Sequence, residues 1–407
     1  MPRRGRRGWG APGGALEPVV LVWGSEGPAF TGKTPPLGGA IVRASAGTGP
    51  ELARRPYNSQ ERLPRMSQPS GSPPTAPDPR HGHQRLLVMP EDGVEAVETL
   101  IDGARQSLRL KQFKLQSERI EQALLRAHRR GVRVRVMLNP QTSGGDRWND
   151  GAFARLEAWG MEVAWTSDAF PVTHEKSLVV DGHTALVATF NLSDKYFTQT
   201  RDYGVVSHDG AVVAQVIAGF EADWDRLAFE PDLGVGLVWS NRHSRGQLAR
   251  ILDLASRSLW IQHPKVVDAV MLDRIVAACE RGVKVRFLCG GKHGISDWDI
   301  YDTFASLRVM GRFGVKVRRQ KQPKLHAKLL LADGRYAQTG SMNLDRSAFD
   351  LRRELGIESD APEVVQRLRD CFERDWEAAE PYHAPDPLEP HLHDAGELPP
   401  DPHFVHD

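Results

Sequence analysis

The 407-residue sequence contains only three cysteines, Cys279, Cys289 and Cys371. Three thiols cannot all pair, and their spacing is not that of a zinc site. They read as small buried hydrophobes, and nothing in them demands an oxidising compartment. The chain also lacks an excess of either charge, with 53 Lys and Arg against 52 Asp and Glu. A strongly basic chain would favour nucleic acid, so charge leaves the partner open. No apolar run approaches the ~20 residues of a spanning helix. The N-terminal MPRRGRRGWGAPGGALEPVVLVWG starts basic, but Glu17 and Pro18 interrupt its short apolar stretch. It has no clear small-residue cleavage site, so no signal peptide is expected. The expected location is cytoplasmic or peripheral to a membrane.

Both ends lack any apolar period. Residues 1–82 are rich in Pro, Gly, Ser and Arg, as in SQPSGSPPTAPDPRHGH. Such a composition buries too little apolar surface to offset chain entropy, so a disordered extension is expected. A disordered tail is expected over 381–407. His383, His391, His393, His403 and His406 fall within it and read as tail residues, not as a metal site.

What the middle does have is repetition. LLRAHRRGVRVRVML (124–138) matches IVAACERGVKVRFLC (275–289). Each is the end of an amphipathic helix, a stop glycine, then Val alternating with Arg or Lys. Gly131 and Gly282 lie 151 apart, as do Asp102 and Asp253, Ser107 and Ser258, and Leu156 and Leu307. From Val163 and Val315 onward the offset is 152, which places one inserted residue near Gly311–Gly314. The expected fold class is therefore α/β: two copies of one unit, 83–232 and 233–380. Each copy reads as helices alternating with strands and ending in a hairpin, a mixed sheet covered by helices.

The second copy repeats a chemical pattern as well. HEKSLVVD (174–181) and HAKLLLAD (326–333) share His, any residue, Lys, four residues, Asp. On a strand, residues i and i+2 share a face, so His174 lies beside Lys176 and His326 beside Lys328. Asn191 and Asn343 follow each His by 17 residues; Asp202 and Glu354 follow by 28. Lys charge, Asn amides and a titrating His form a pocket suited to phosphate. A carboxylate behind each His would fix its tautomer and raise its basicity. Asp181 and Asp333 each open an Asp-Gly turn, so a structural role fits them at least as well as a catalytic one.

Duplication also suits the chemistry. Cleaving a phosphodiester through a covalent intermediate needs a nucleophile on phosphorus and an acid on the leaving oxygen. Two units about a pseudo-two-fold axis would bring two His to opposite sides of one phosphate. Two Lys and two Asn would then neutralise its oxygens, a task that Mg²⁺ performs elsewhere.

Over roughly residues 84–380 the chain resembles the phospholipase D superfamily in its two-motif form. The residues that carry the resemblance are HEKSLVVD with TFN (189–191), and HAKLLLAD with GSMN (340–343). It implies paired α-β-α sandwiches with one shared active site, and metal-independent hydrolysis or transfer through a phosphohistidine, with no cofactor. It implies His174 as nucleophile and His326 as general acid, with Asp202 and Glu354 orienting them. It implies Lys176, Lys328, Asn191, Asn343, Ser341 and Thr189 around the phosphate, with Asp181 and Asp333 completing the motifs. The first copy departs from the family pattern, with Ala188-Thr189 where Gly-Ser is usual.

The expected substrate is phospholipid, met by a monomer with possible peripheral membrane contact. A nuclease of the same fold and an inactive binding module are the alternatives. Trp148 and Trp298 lie in the loops before the motifs, as substrate rims or as loop anchors. Of the basic tracks, RAHRRGVRVR (126–135) and RGVKVR (281–286) read as ion-paired strand faces. RRQKQPK (318–324) precedes His326 and is the better candidate for nucleic acid.

Overall fold

The computed structural model describes residues 84–291, 295 and 299–387. The expected extension 1–82, Trp298 and the tail beyond residue 387 lie outside the described residues. The first repeat runs β1 (Gln84–Met89), α1 (Glu95–Asp102), β2 (Ser107–Gln112), α2 (Glu118–Arg129), β3 (Arg133–Leu138), α3 (Asp150–Ala158), β4 (Glu162–Trp165), β5 (Ser177–Val180), β6 (Thr184–Ala188), α4 (Asp194–Thr198), β7 (Thr200–Ser207) and α5 (Gly210–Trp224). The second runs β8 (Leu237–Trp239), α6 (Ser244–Leu254), β9 (Ser258–Gln262), α7 (Ala269–Glu280), β10 (Lys284–Cys289), α8 (Ile300–Arg312), β11 (Lys316–Arg319), β12 (Lys324–Leu325), β13 (Leu329–Ala332), β14 (Tyr336–Gly340), α9 (Arg346–Asp350), β15 (Leu355–Ser359), α10 (Pro362–Ala378) and β16 (Glu380–Pro381).

The two sheets share one strand order. The first reads β1-β7-β6-β5-β2-β3-β4 and the second β8-β15-β14-β13-β9-β10-β11, with β16 beyond β11. β2, β3 and β4 are parallel, as are β9, β10 and β11; the hairpin strands join them antiparallel. The fold is thus mixed α/β and doubled, as the offsets imply. The sequence reading began each copy at its helix and missed the leading strands β1 and β8. It also stopped at the hairpin, so the closing units β7–α5 and β15–α10 were not anticipated.

Hairpin strands are buried on both faces because each sheet has a core on either side. In β5, Leu178 and Val180 join the first repeat's own core, while Val179 turns to a central core. In β13, Leu330 and Ala332 face the second repeat's core, while Leu329 and Leu331 meet the central one. The central core also takes Val212, Val213 and Val216 of α5 and Val364, Leu368 and Phe372 of α10. It packs the two repeats together through side chains that alternate along strands. Both stop glycines do what their positions require: Gly131 and Gly282 have φ +86°, a left-handed turn after α2 and α7.

Candidate active site

Each motif begins on a short extended segment that leaves its own repeat. β12 pairs in parallel with β7, setting Lys324 opposite Thr200 and Leu325 opposite Arg201. On the other side, Thr173 makes a parallel bridge to Arg353. The Arg353 carbonyl accepts from the amides of His174 and Glu175 at 2.8 and 3.0 Å. The Arg201 carbonyl accepts from His326 and Ala327 at 3.2 and 2.8 Å. Each His therefore lies beside the strand carrying the other repeat's carboxylate.

The carboxylate pairing is consequently crossed. His174 Nδ1 is 3.0 and 3.1 Å from the two Glu354 oxygens. His326 Nδ1 is 2.6 Å from Asp202 Oδ1. With Nδ1–H on the carboxylate, each neutral ring keeps its lone pair on Nε2. The two Nε2 atoms then differ. That of His174 is buried without a hydrogen-bond partner among the described residues. That of His326 accepts from Lys328 Nζ at 3.1 Å. Lys328 also donates to the His326 carbonyl, and Lys176 to the His174 carbonyl. Asn191 is fully buried with neither amide atom bonded among the described residues, and Asn343 Oδ1 is likewise unpartnered there. Buried amide atoms left without a partner mark a place for a polar group.

Electrostatics follow from burial. Burial, with Lys176, Arg352, Lys328 and His326 nearby, holds His174 well below the ordinary imidazole value. Lys328 and His326 belong to the second repeat, so the two motifs share one field. Burial pushes His326 down to about 4 against the pull of Asp202, and Lys328 down to about 8. Burial raises Glu354 to about 7. Asp202 is held low: burial opposes ionisation, but His326 and Lys328 outweigh it. The site thus holds neutral imidazoles, one backed by an ionised Asp and the other by a Glu near its midpoint.

Four expected site residues sit differently. Thr189 and Ser341 were expected among the phosphate ligands, but their hydroxyls are committed elsewhere. Thr189 Oγ1 donates to Asp202 Oδ1 at 2.6 Å and accepts from Tyr203 N. Ser341 Oγ donates to the Leu355 carbonyl and accepts from the Leu355 amide. They brace the carboxylate strands. Asp181 and Asp333, expected within the motifs, lie at the far ends of β5 and β13 from the His residues. Their φ values are 52° and 53°, at the hairpin turns. Asp181 accepts from the amides of Arg105, Gln106 and Ser107, and Asp333 from those of Ser256, Arg257 and Ser258. They are structural anchors between a turn and the start of the neighbouring strand.

Asp333 carries a stability prediction. Burial alone would raise it, but the Ser258, Arg257 and Ser256 donors hold it at about 2, below the ordinary 3.8. Its contribution is present above the unfolded value and is lost as pH falls through about 2. Asp333→Ala is expected to cost about 1–3 kcal/mol in denaturant melts at pH 7. The loss should shrink toward pH 2 while turnover per folded molecule is kept. A fall in turnover with no change in stability would place Asp333 in the chemistry.

Sequence reasoning missed the residues that lock the crossing. Arg353 Nε meets Asp223 at 3.0 Å, and Lys111 Nζ meets Asp223 and Glu175 at 2.6 and 3.0 Å. In the matching lock Arg201 of the first repeat pairs with Asp375 of the second at 2.7 Å, where Gln262 replaces the lysine. Arg201/Arg353 and Asp223/Asp375 share the offset of 152, the signal that was available. Phe113 was missed as well; its ring meets His174 edge-on at 4.8 Å and Trp148 at 6.2 Å. Lys114 Nζ sits 3.6 Å over Trp148, so this tryptophan anchors its loop. The basic tracks are largely paired: Arg133 with Glu162, Arg135 with Glu221, Arg286 with Glu373, Lys321 with Glu380.

Fold and site together define a duplicated α/β protein in which one buried histidine pair is shared by two repeats. A family model described as cardiolipin synthase, PLD-like domain, matches twice, at residues 97–224 and 248–376. The chain belongs to the phospholipase D superfamily, in its two-repeat, cardiolipin synthase-like form. It is 24% identical to the major cardiolipin synthase of Bacillus subtilis (strain 168), over 63% of this chain and 60% of that one. It is 24% identical to a cardiolipin synthase of Staphylococcus aureus (strain Mu50), over 69% of this chain and 65% of that one. The chain thus spans under two thirds of the length of these curated relatives. In fold it is similar to the phosphatidylserine synthase of Haemophilus influenzae, with TM-score 0.60, 13% identity, and 74% and 88% of the two chains covered. Among the described residues no helix is long and apolar enough to cross a membrane.

Proposed function

We propose that the protein is a phospholipase D-type phosphatidyltransferase acting on phospholipid through a phosphohistidine, without a metal ion. The observation that carries this reading is the buried His174–His326 pair, each ring backed by the other repeat's carboxylate. His174 Nε2, unpartnered and with its lone pair, attacks phosphorus, and the bond to the leaving alcohol breaks. His326 protonates that alcohol; the Lys328 ammonium against its Nε2 is the nearest proton source as the phosphate's negative charge raises the imidazole's affinity. Lys176, Lys328, Asn191 and Asn343 bind the phosphoryl oxygens. An incoming alcohol or water then gives its proton to His326, attacks phosphorus, and releases His174.

The substrate class is supported by relatives named as cardiolipin synthases. The nuclease alternative has less support, because Arg133, Arg135, Arg286 and Lys321 in the basic tracks are already ion-paired. The test is purified protein with phosphatidylglycerol or phosphatidylcholine plus ethanol, and in parallel with single-stranded DNA, all in EDTA. Phosphatidylethanol or a new phosphatidyl ester is expected, with DNA intact. Activity lost in EDTA and restored by Mg²⁺ or Zn²⁺ would show that lysine and asparagine do not supply the charge neutralisation.

A narrow bell-shaped pH–rate profile is expected. Ionised Glu354 makes His174 more basic, so kcat/KM rises as pH passes about 7. Lys328 loses its proton above about 8, so the rate then falls. Glu354→Gln should lower the rate and remove the acid limb near 7. Persistence of that limb in Glu354→Gln would assign it to another group.

A further inference from the structure

A third imidazole lies beside the histidine pair and has no task in the chemistry above. His263 follows β9 directly and is fully buried. Neither of its ring nitrogens has a hydrogen-bond partner among the described residues. Burying such a ring is costly, and an apolar side chain would fill the same space without that cost. The register of the sheet shows what His263 faces. β9 and β13 run antiparallel, with Gln262 opposite Leu329 and Ile261 opposite Leu330. One step further sets His263 opposite Lys328, on one face of the sheet. Burial, with Lys328 nearby, holds the His263 ring down to about 3, so it stays neutral.

The first repeat differs at the same place. β2 and β5 set Lys111 opposite Ser177, so Gln112 stands opposite Lys176. Gln112 Oε1 is taken by the Phe113 amide. Lys176 donates to the His174 carbonyl, whereas Lys328 donates both to the His326 carbonyl and to His326 Nε2. The uncommitted imidazole thus faces the lysine that holds a ring nitrogen.

Acid catalysis disturbs that lysine. When its proton passes to His326 Nε2, Lys328 becomes a neutral amine, and the new N–H turns to the leaving oxygen. The Lys328–His326 hydrogen bond is then lost. Lys328 needs a neighbour that accepts from its ammonium and donates to its amine. A neutral imidazole does both, through one nitrogen's lone pair and the other's N–H. A carboxylate would only accept, and would tighten the lysine's hold on the proton it must give. The charged groups acting on Lys328 are Asp202, Glu354, Lys265 and Arg352, and His263 adds none.

We propose that His263 is a positioning residue for Lys328, holding that side chain in both protonation states while the proton moves between Lys328 and His326. The inference rests on the proposed function for its chemistry. The proton balance closes: the acceptor's proton returns through His326 to Lys328 in the second step.

The experiment uses the full chain with two substitutions. His263→Leu keeps the bulk and removes both nitrogens. His263→Gln sets the first repeat's residue there and keeps a donor and an acceptor. Phospholipid turnover is compared with the pre-steady-state burst of nitrophenolate from a nitrophenyl phosphodiester, whose leaving group needs little acid. His263→Leu should lower phospholipid turnover about 10²-fold, while the burst rate falls by less than about threefold. His263→Gln should recover about tenfold of that loss. Equal losses in turnover and burst overturn the inference, as packing damage. An unaffected His263→Leu overturns it too, with water then serving the ring, and so does His263→Gln without recovery. A second measurement needs no turnover. In protein carrying isotope-labelled histidine, the His263 ring-nitrogen resonances are identified by their absence from His263→Gln. They should inflect at about 8 as Lys328 titrates, and lose that inflection in Lys328→Met. No inflection in the wild type, or one that survives in Lys328→Met, overturns the inference. If the wild type does not turn over phospholipid, the proposed function fails, and the resonances alone decide the place of His263.

Discussion

Acid-quenched His326→Ala protein, given a labelled nitrophenyl phosphodiester, is expected to carry label on His174, whereas His174→Ala carries none. The expectation rests on the inequality of the two Nε2 atoms. His174 Nε2 has no partner among the described residues and sits on a ring held neutral, so its lone pair is available to phosphorus. His326 Nε2 is engaged by Lys328, which suits a proton donor. Nitrophenolate departs with little need of protonation, so loss of the acid should spare the first step with this substrate. The second step still needs a base to activate the acceptor, so the phosphoenzyme should accumulate. With a phospholipid, whose leaving alkoxide needs a proton, both variants should fall by roughly 10³-fold or more. Label on His174→Ala and none on His326→Ala would reverse the roles. An unlabelled wild type under the same quench would remove the covalent intermediate.

Much of this arrangement is legible in the sequence, and the reasons differ by residue. The offsets of 151 and 152 locate equivalent strands because a duplicated core must repeat its apolar spacing. His174 beside Lys176 follows from strand period alone. The crossing does not follow, because a spacing of 28 residues is the same whether Asp202 serves His174 or His326. Only the short segments Thr173 and Lys324–Leu325, too brief to show any period, reveal that each motif starts on the other repeat. Thr189 and Ser341 mislead for a related reason: a hydroxyl near an anion site can donate to phosphate or brace a strand, and sequence does not choose. Arg201 and Arg353 were visible as matched residues preceding the two carboxylates. They had no assigned task until Asp223 and Asp375 appeared behind them. β8 is three residues long, below what alternation can signal.

The crossed pairing makes the behaviour of separated halves a sharp test. Residues 83–232 keep His174, Lys176 and Asn191 but lose Glu354, the Arg353 carbonyl and the Arg353 side chain that pairs with Asp223. Residues 233–380 keep His326, Lys328 and Asn343 but lose Asp202 and Arg201. Each half would also expose the central core, including Val179 and Val187 on one side and Leu329 and Leu331 on the other. As a monomer, either half is expected to be inactive on any phosphodiester, by roughly 10³-fold or more relative to the full chain. The exposed apolar faces should drive association, and mixing the halves should restore the Glu354–His174 and Asp202–His326 pairs and with them activity. A homodimer of 83–232 would set Asp202 against His174 of a second copy, so activity must be read on size-separated species. The informative variants are Asp223→Asn in one half and Asp375→Asn in the other. Each removes one Arg lock, and recovery on mixing should fall with either. Full turnover by a half that is monomeric during the assay would show that one motif suffices and that the crossed carboxylates are not needed.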